Sequence, residues 1–452
     1  MGFVSKYKDA FLILISILLY FTFAYFLERT DFNKLLFLWC ALFGCFYLLI
    51  KSKTISLNTL IGVTILFRLI FLFAIPNLSQ DFYRFIWDGR MILEGLNPYL
   101  SLPETFIQQG LHPIAETNNL YHGMGEMNGS HYTNYPPLNQ LCFFIAALFA
   151  SKSIFGSVIV LRILIILADI GILYFGKKLL EKLQLPVKNI FWYVLNPFVI
   201  IELTGNLHFE AVMLFFLVLS LYLLFQKKWI WAAIVFAFSI AVKLIPLLFL
   251  PLFYQWFVKK EQKWIHGFKN LIVFYAIVLA TTILLFLPFY SSELIQNYSD
   301  SVGLWFRNFE FNASFYYIFR EIGFWFRGYN EIAIIGKITP ILTILFLLFI
   351  TFFRKNKNMR ELITALLFGL CFYYFTATTV HPWYLATPLI LSVFTKYRFP
   401  VIWTLVIILS YQAYANLPWK EDLYVVFVEY LILYIVMVYE ILKHRKYYKI
   451  VK

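Results

Sequence analysis

The sequence predicts an all-α, polytopic transmembrane helical bundle of about 13–15 spans. It reads as a single membrane-embedded domain over residues 1–452, with a long outer loop carrying surface helices. Three observations carry that reading. The chain is 62% hydrophobic and only 14% charged, whereas soluble domains are about 25% charged. Apolar runs of roughly 20 residues, the length a helix needs to cross a bilayer, recur with one charge or none. Those runs are continuous rather than alternating, which excludes barrel strands.

Charge placement orients the bundle. The net charge of +14 could suggest a nucleic-acid partner, but its distribution points to none. Lysines cluster in short links between apolar runs, at 51–53, 177–188, 227–228, 259–263, 354–360 and 443–452. That is the pattern of cytoplasmic loops. The two long polar segments, 77–137 and 291–330, contain no lysine and are expected outside. The four cysteines give neither a disulfide framework nor metal spacing. The first apolar run has no small-residue cleavage site and reads as a retained span.

Taken in order, spans are expected at 10–27, 35–50 and 59–76, the third delivering Asp81 to the outer surface. Two short helices, 80–95 and 138–152, are expected along the membrane surface. Further spans fall at 157–176, 190–204, 208–226, 229–242, 244–257, 268–289, 331–353, 361–379, 384–395, 400–415 and 423–442. Were 138–152 to cross fully, the lysines at 177–188 would land outside. Reading it as a partial helix keeps them inside and puts "LTGNLHFEA" outside, beside the first loop. Arg162 and Asp169, seven apart in one span, are expected to screen each other, while Arg68 could snorkel or pair within the bundle.

The residues that could carry chemistry gather in the outer segments. In "SQDFYRFIWDGRMILEGLNPYL", Asp81 and Asp88 lie on nearly one helical face, two turns apart. Arg84 and Arg90 flank them, and Gly95 with Asn97-Pro98-Tyr99 ends the helix. Carboxylates at a membrane surface suit a general base, and arginines there suit phosphate. The same pattern also fits a solvated helix with internal ion pairs. "TGNLHFEA" offers Asn206, His208 and Glu210, either a surface turn or a second wall of the site. Lys243 carries the only charge between Trp229 and Phe257. It could snorkel or bind a phosphate as a point charge. In "VHPWYL", His381 is a structural turn residue or a second acid–base group. Trp383 and Tyr384 suit an interfacial belt or a wall that stacks on sugar.

"DFYRFIWDGRMILEGLNPY" and, in the same loop, "HYTNYPPLNQL" resemble the first outer loop of the GT-C superfamily of integral-membrane glycosyltransferases. The likeness is to mannosyltransferases using polyprenyl- or dolichyl-phosphate sugars, the enzyme adding the first mannose to glycosylphosphatidylinositol and its bacterial relatives. Matching positions are Asp81, Tyr83, Asp88, Gly95, Pro98, Tyr99, Tyr135, Pro137 and Leu138. The likeness continues through "LNPFVIIELTGNLHFEAVM", "AVKLIPLLFLP", "FNASFYYIFR" and "VHPWYLATPL". One departure is Ser79, where eukaryotic members carry the first acid of an Asp-x-Asp, which weakens any metal-binding role.

The resemblance implies an inverting hexose transfer, with mannose as the sugar, from a polyprenyl-phosphate donor to a lipid or glycan acceptor on the outer face. Segment 77–137 would be the catalytic loop and 291–330 a second outer loop. Asp81 matches the base, and Asp88 a second acid that orients the acceptor or Arg84. Tyr83, Arg84, Glu94, Tyr99, Asn206, His208, Glu210, Lys243, His381, Trp383 and Tyr384 are the expected substrate contacts. No cofactor and no metal ligand is assigned, and a divalent metal stays open. Membrane lipids are the remaining partner. The expected location is the bacterial inner membrane, or the endoplasmic reticulum in a eukaryote. The rival class is a transporter or flippase of lipid-linked sugars. It would favour repeated halves and midplane charges, which this sequence lacks.

Overall fold

The computed structural model describes residues 2–258, 263–307, 309–416 and 418–450. Helices dominate, and the described residues form no sheet beyond an isolated parallel bridge between Phe311 and Thr379. Among the described residues, seven helices are long and apolar enough to cross a bilayer: Tyr7–Phe26, Phe32–Lys51, Ile154–Lys182, Trp264–Phe289, Ile332–Phe353, Met359–Thr376 and Leu423–Arg445. A bent pair, Val199–Gly205 and Glu210–Phe225, turns by 112° and meets the same length and composition when taken as one element. Of six shorter apolar helices among the described residues, five occupy the remaining expected spans: Leu57–Ile70, Trp229–Val242, Ile245–Phe257, Pro382–Val393 and Phe399–Ala415. Their ends follow local chemistry. Asp31, Ser56, Ser153 and Asn358 each accept a backbone N–H of the helix they open, satisfying donors the helix itself cannot.

Two polar contacts differ from the expected ones. Asp169 does not screen Arg162 but pairs with Arg68, Nε to Oδ2 at 2.8 Å, deep in the bundle. Arg162 instead donates to three carbonyls, those of Leu72, Thr204 and Gly205. A planar guanidinium can serve several acceptors at once, and the broken helix ending at Gly205 exposes carbonyls that need donors. The expected continuous span 190–204 is therefore a series of short turns. It ends in a π-helix, Val199–Gly205, a rare form that often marks functional sites.

Helix Asp81–Leu93 also departs from expectation. It does not lie along a surface, since Phe82 and every residue from Arg84 to Met91 are buried. It packs between helices Thr117–Gly129 and Pro137–Ala150. Gly89 permits that approach, because a Cβ there would lie 2.2 Å from the Phe143 carbonyl oxygen. The rings of Phe85 and Phe143 then stack at 4.6 Å. The two long polar segments, 77–137 and 291–330, hold further helices that their polar composition did not signal: Pro103–Gln108, Thr117–Gly129, Leu294–Arg307 and Phe315–Arg327.

The basic loops meet at one end of the bundle. Lys188 donates to the Ser52 carbonyl at 2.7 Å, Ser52 donates to Asp9, and Arg360 donates to the Leu183 carbonyl. The opposite end is tied by Arg162 and by Asn77, whose amide donates to the Phe23 and Leu27 carbonyls. Arg162 and Lys182 are about 30 Å apart along one helix at 1.5 Å per residue. Helix Ile154–Lys182 therefore begins at the Arg162 end. The 14-residue helix Pro137–Ala150, about 21 Å long, leads from the cavity-lining Pro136 to the start of helix Ile154–Lys182.

Candidate active site

A cavity of about 740 Å³ opens at the Arg162 end, away from the basic loops. Its polar lining comes from residues distant in sequence: Arg29, Asp81, Arg84, Asn128, His131, Glu210, Lys243 and His381. Its apolar lining includes Leu244, Ile245, Leu247, Leu248, Pro340 and Ile344. Leu247 and Ile344 also reach the outer surface of the bundle.

Asp81 is the first residue of its helix, so its position on the rim is fixed by packed backbone. Its backbone N–H donates to Ser79 Oγ at 3.3 Å, and Asn128 Nδ2 donates to its Oδ1 at 3.5 Å. Burial raises the Asp81 carboxyl above its ordinary value, while Lys243, Asn128 and Arg29 hold it back down. A carboxyl raised in this way holds a proton more readily than a solvated one. Two turns further on, Asp88 is fully buried and accepts from Arg84 Nε at 2.8 Å, Thr133 Oγ1 at 2.5 Å and Gln140 Nε2 at 2.9 Å. It does not line the cavity. Instead it fixes Arg84, which also donates to the carbonyls of Asn128 and His131. Burial and the Arg84 charge push His131 down to about 4, so this imidazole is neutral near pH 7.

The second wall comes from the broken helix. Glu210 opens helix Glu210–Phe225, and its Oε1 meets Lys243 Nζ at 2.5 Å. Lys243 ends helix Trp229–Val242 in extended backbone and is 23% exposed, against 2% for Glu210. The lysine therefore does not snorkel to the lipid. Trp383 carries the third wall. Its indole lies against His208 at 3.8 Å and against His381 at 4.6 Å, nearly parallel to both. Burial and the Lys243 charge push His381 down to about 3, which makes it a neutral hydrogen-bonding group and a weak base.

Of the residues expected to touch substrate, Arg84, Glu210, Lys243, His381, Trp383 and Tyr384 line the cavity with Asp81. Tyr83, Glu94, Tyr99, Asn206 and His208 do not. Tyr83 packs over Gly123 so closely that a Cβ there would come within 2.5 Å of its ring. Glu94 is exposed beyond the helix end. Tyr99 is buried and its hydroxyl donates to the Tyr135 carbonyl at 2.6 Å, so the Asn-Pro-Tyr turn holds a lining residue from behind. Asn206 Oδ1 accepts from the Leu78 amide at 3.0 Å. His208 lies 3.8 Å from the buried Glu202, whose other oxygen accepts from Tyr411. Sequence reading missed Arg29, Asn128, Tyr414 and Trp419, all of which line the cavity. Arg29 alone left a trace, as an arginine in the turn joining the first two spans. Among the described residues, no three His, Cys, Asp or Glu side chains come together as metal ligands would.

Fold and cavity together define a polytopic helical membrane protein with an ionisable site at one end of its bundle. Within that class, the chain belongs to the family described as alpha-(1->6)-mannopyranosyltransferase, N-terminal domain. That family's pattern matches residues 22–259, more than half of the 452 residues. The match bears out the resemblance to GT-C-type mannosyltransferases, and it takes in Arg29, Asp81, Glu210 and Lys243. The chain is also similar to alpha-(1->6)-mannopyranosyltransferase A of Mycobacterium tuberculosis, at 22% identity over 234 residues. The similarity covers 52% of this chain and 43% of that relative, so the chain spans less than half of the relative's length.

Proposed function

We propose that this protein is a glycosyltransferase that moves a mannosyl residue from a polyprenyl-phosphate donor to a hydroxyl of a lipid or glycan acceptor. The reaction takes place on the non-cytoplasmic face. Asp81 is the general base. It takes the acceptor's hydroxyl proton as that oxygen bonds to the anomeric carbon. The bond from that carbon to the phosphate oxygen breaks, and its electron pair leaves with the lipid phosphate. Configuration inverts, so an α-linked product, as the relatives' name describes, requires a β-linked donor.

The observation that carries this reading is one cavity with two characters. A rim carboxylate sits under the influence of two cations, Lys243 and Arg29, while an apolar wall reaches the bundle surface at Leu247 and Ile344. A lipid-linked phosphosugar has the same two characters. Lys243 and Glu210 border the sugar beside the base, and the apolar wall takes the first isoprene units. The purified full chain, given radiolabelled polyprenyl-phosphate mannose and a lipid extract, should yield a labelled acceptor. Transfer from a nucleotide-linked mannose, with all lipid donor removed, would overturn the donor assignment.

A further inference from the structure

The cations that line the cavity are not equivalent. Arg84 pairs with Asp88 at 2.8 Å, and Lys243 pairs with Glu210 at 2.5 Å. Each therefore has its charge balanced by a buried carboxylate. Arg29 has no carboxylate within ion-pair distance among the described residues. Its Nη1 donates to the Leu78 carbonyl at 3.2 Å, and its guanidinium sits over the Tyr414 ring at 4.2 Å.

That placement is built from several elements. Arg29 lies in the turn between the first two helices. Leu78, which receives it, is fixed through its own amide by Asn206 at 3.0 Å. Asn77, next in line, is bonded to the end of the first helix at Phe23 and Leu27. Four parts of the chain thus converge to hold one guanidinium, half-buried, at the cavity wall. A backbone acceptor and an aromatic face leave most of its five N–H donors unspent. A guanidinium with spare donors and no counter-charge, within electrostatic reach of the rim carboxylate, is suited to a phosphate oxyanion.

We infer that Arg29 is the direct ligand of the donor's phosphate and carries the charge that develops on it as the sugar leaves. The inference rests on the donor class proposed above. Lys243, already balanced by Glu210, serves the sugar side of the same cavity. Phosphate chemistry is shared by a lipid phosphate and free phosphate, and the apolar wall favours the lipid form.

The test is direct binding to the full chain in nanodiscs of zwitterionic phospholipid, with geranyl phosphate, inorganic phosphate and geraniol as separate probes. Arg29→Gln should weaken geranyl phosphate by roughly 10- to 100-fold, the loss expected for one charge-assisted contact, and leave geraniol unchanged. Arg29→Lys keeps the charge over Tyr414 but not the fork, and should fall between. That variant also guards against a folding artefact. Geranyl phosphate bound equally by the wild type and Arg29→Gln would overturn the inference while leaving the donor class standing. Inorganic phosphate bound as tightly as geranyl phosphate would overturn the lipid assignment of Arg29. A wild type that binds no geranyl phosphate at all would sink the donor reading itself. If Arg29→Gln shifts only the pH profile of kcat/KM, Arg29 is a charge partner of Asp81 and the inference fails.

Discussion

Asp81 and Asp88 show how two acids in one motif take different duties from their surroundings. Asp88 has three donors and no access to the cavity, so its charge is spent on structure. Asp81 has one long side-chain bond and faces the cavity. Asp81→Asn should therefore lower turnover by at least the roughly 10²-fold typical of losing a general base, with the protein still folded and still binding donor. Near-normal turnover in that variant would move the base elsewhere, with Glu210 next in line. The base must be ionised to act. Because burial raises its pKa, the acid limb of the kcat/KM–pH profile should lie above the ordinary carboxylate value near 4. Removing a neighbouring cation should move that limb further up. Lys243 calls for a different expectation. Its partner Glu210 is 2% exposed, and a buried carboxylate stripped of its partner costs about 3–5 kcal/mol. Lys243→Met should thus be much less stable than the double variant Lys243→Met/Glu210→Gln in thermal unfolding. Equal stability of the two would show that the pair contributes nothing.

Helices reach the cavity because of where they break. The 112° turn before Glu210, the extended backbone at Lys243 and the start of a helix at Asp81 each bring an element boundary to the same cavity. Polar residues that interrupt apolar sequence were legible for this reason. Asp81, Glu210, Lys243 and His381 stand out because a bilayer makes such residues expensive. Their supports were not legible. Arg68 finds Asp169 across 101 residues, and no spacing within either segment reports that partner. Arg29 was hidden because an arginine in a turn between spans looks like any solvated one. The burial of helix Asp81–Leu93 was hidden because its charged residues, read without partners, imitate a surface helix. Its packing makes a sharp demand. Gly89→Ala would place a Cβ 2.2 Å from a backbone carbonyl, which cannot swing aside as a side chain can. The two helices must separate, at a cost of about 1–3 kcal/mol. Turnover should fall with it, because Asp81 rides on the displaced helix. A Gly89→Ala enzyme with wild-type melting temperature and rate would mean that the contact is looser than it looks.

The charge pattern and the packing give one account of the whole molecule from independent sources. Lysine-rich loops were assigned to one side from sequence alone. In the structure those loops meet through Lys188 with Ser52 and Arg360 with Leu183, while the cavity opens at the other end of helix Ile154–Lys182. Read as a partial helix that does not cross, Pro137–Ala150 keeps the lysines at 177–188 on the same side as the other basic loops. If the basic end is cytoplasmic, as the positive-inside rule requires, then the cavity faces outward. Asn118 and Lys182 are both exposed and lie on the two sides of that divide. Replaced singly by cysteine in a chain whose four native cysteines are removed, Asn118→Cys should react with a membrane-impermeant maleimide in intact cells. Lys182→Cys should react only after permeabilisation. The native cysteines lie within or beside apolar helices, so replacing them should leave this topology intact. Labelling of both positions from the same side would break the sidedness argument and with it the outward-facing site. A lipid-linked donor would then have to meet its acceptor in the cytoplasm, where nucleotide sugars compete for the same chemistry.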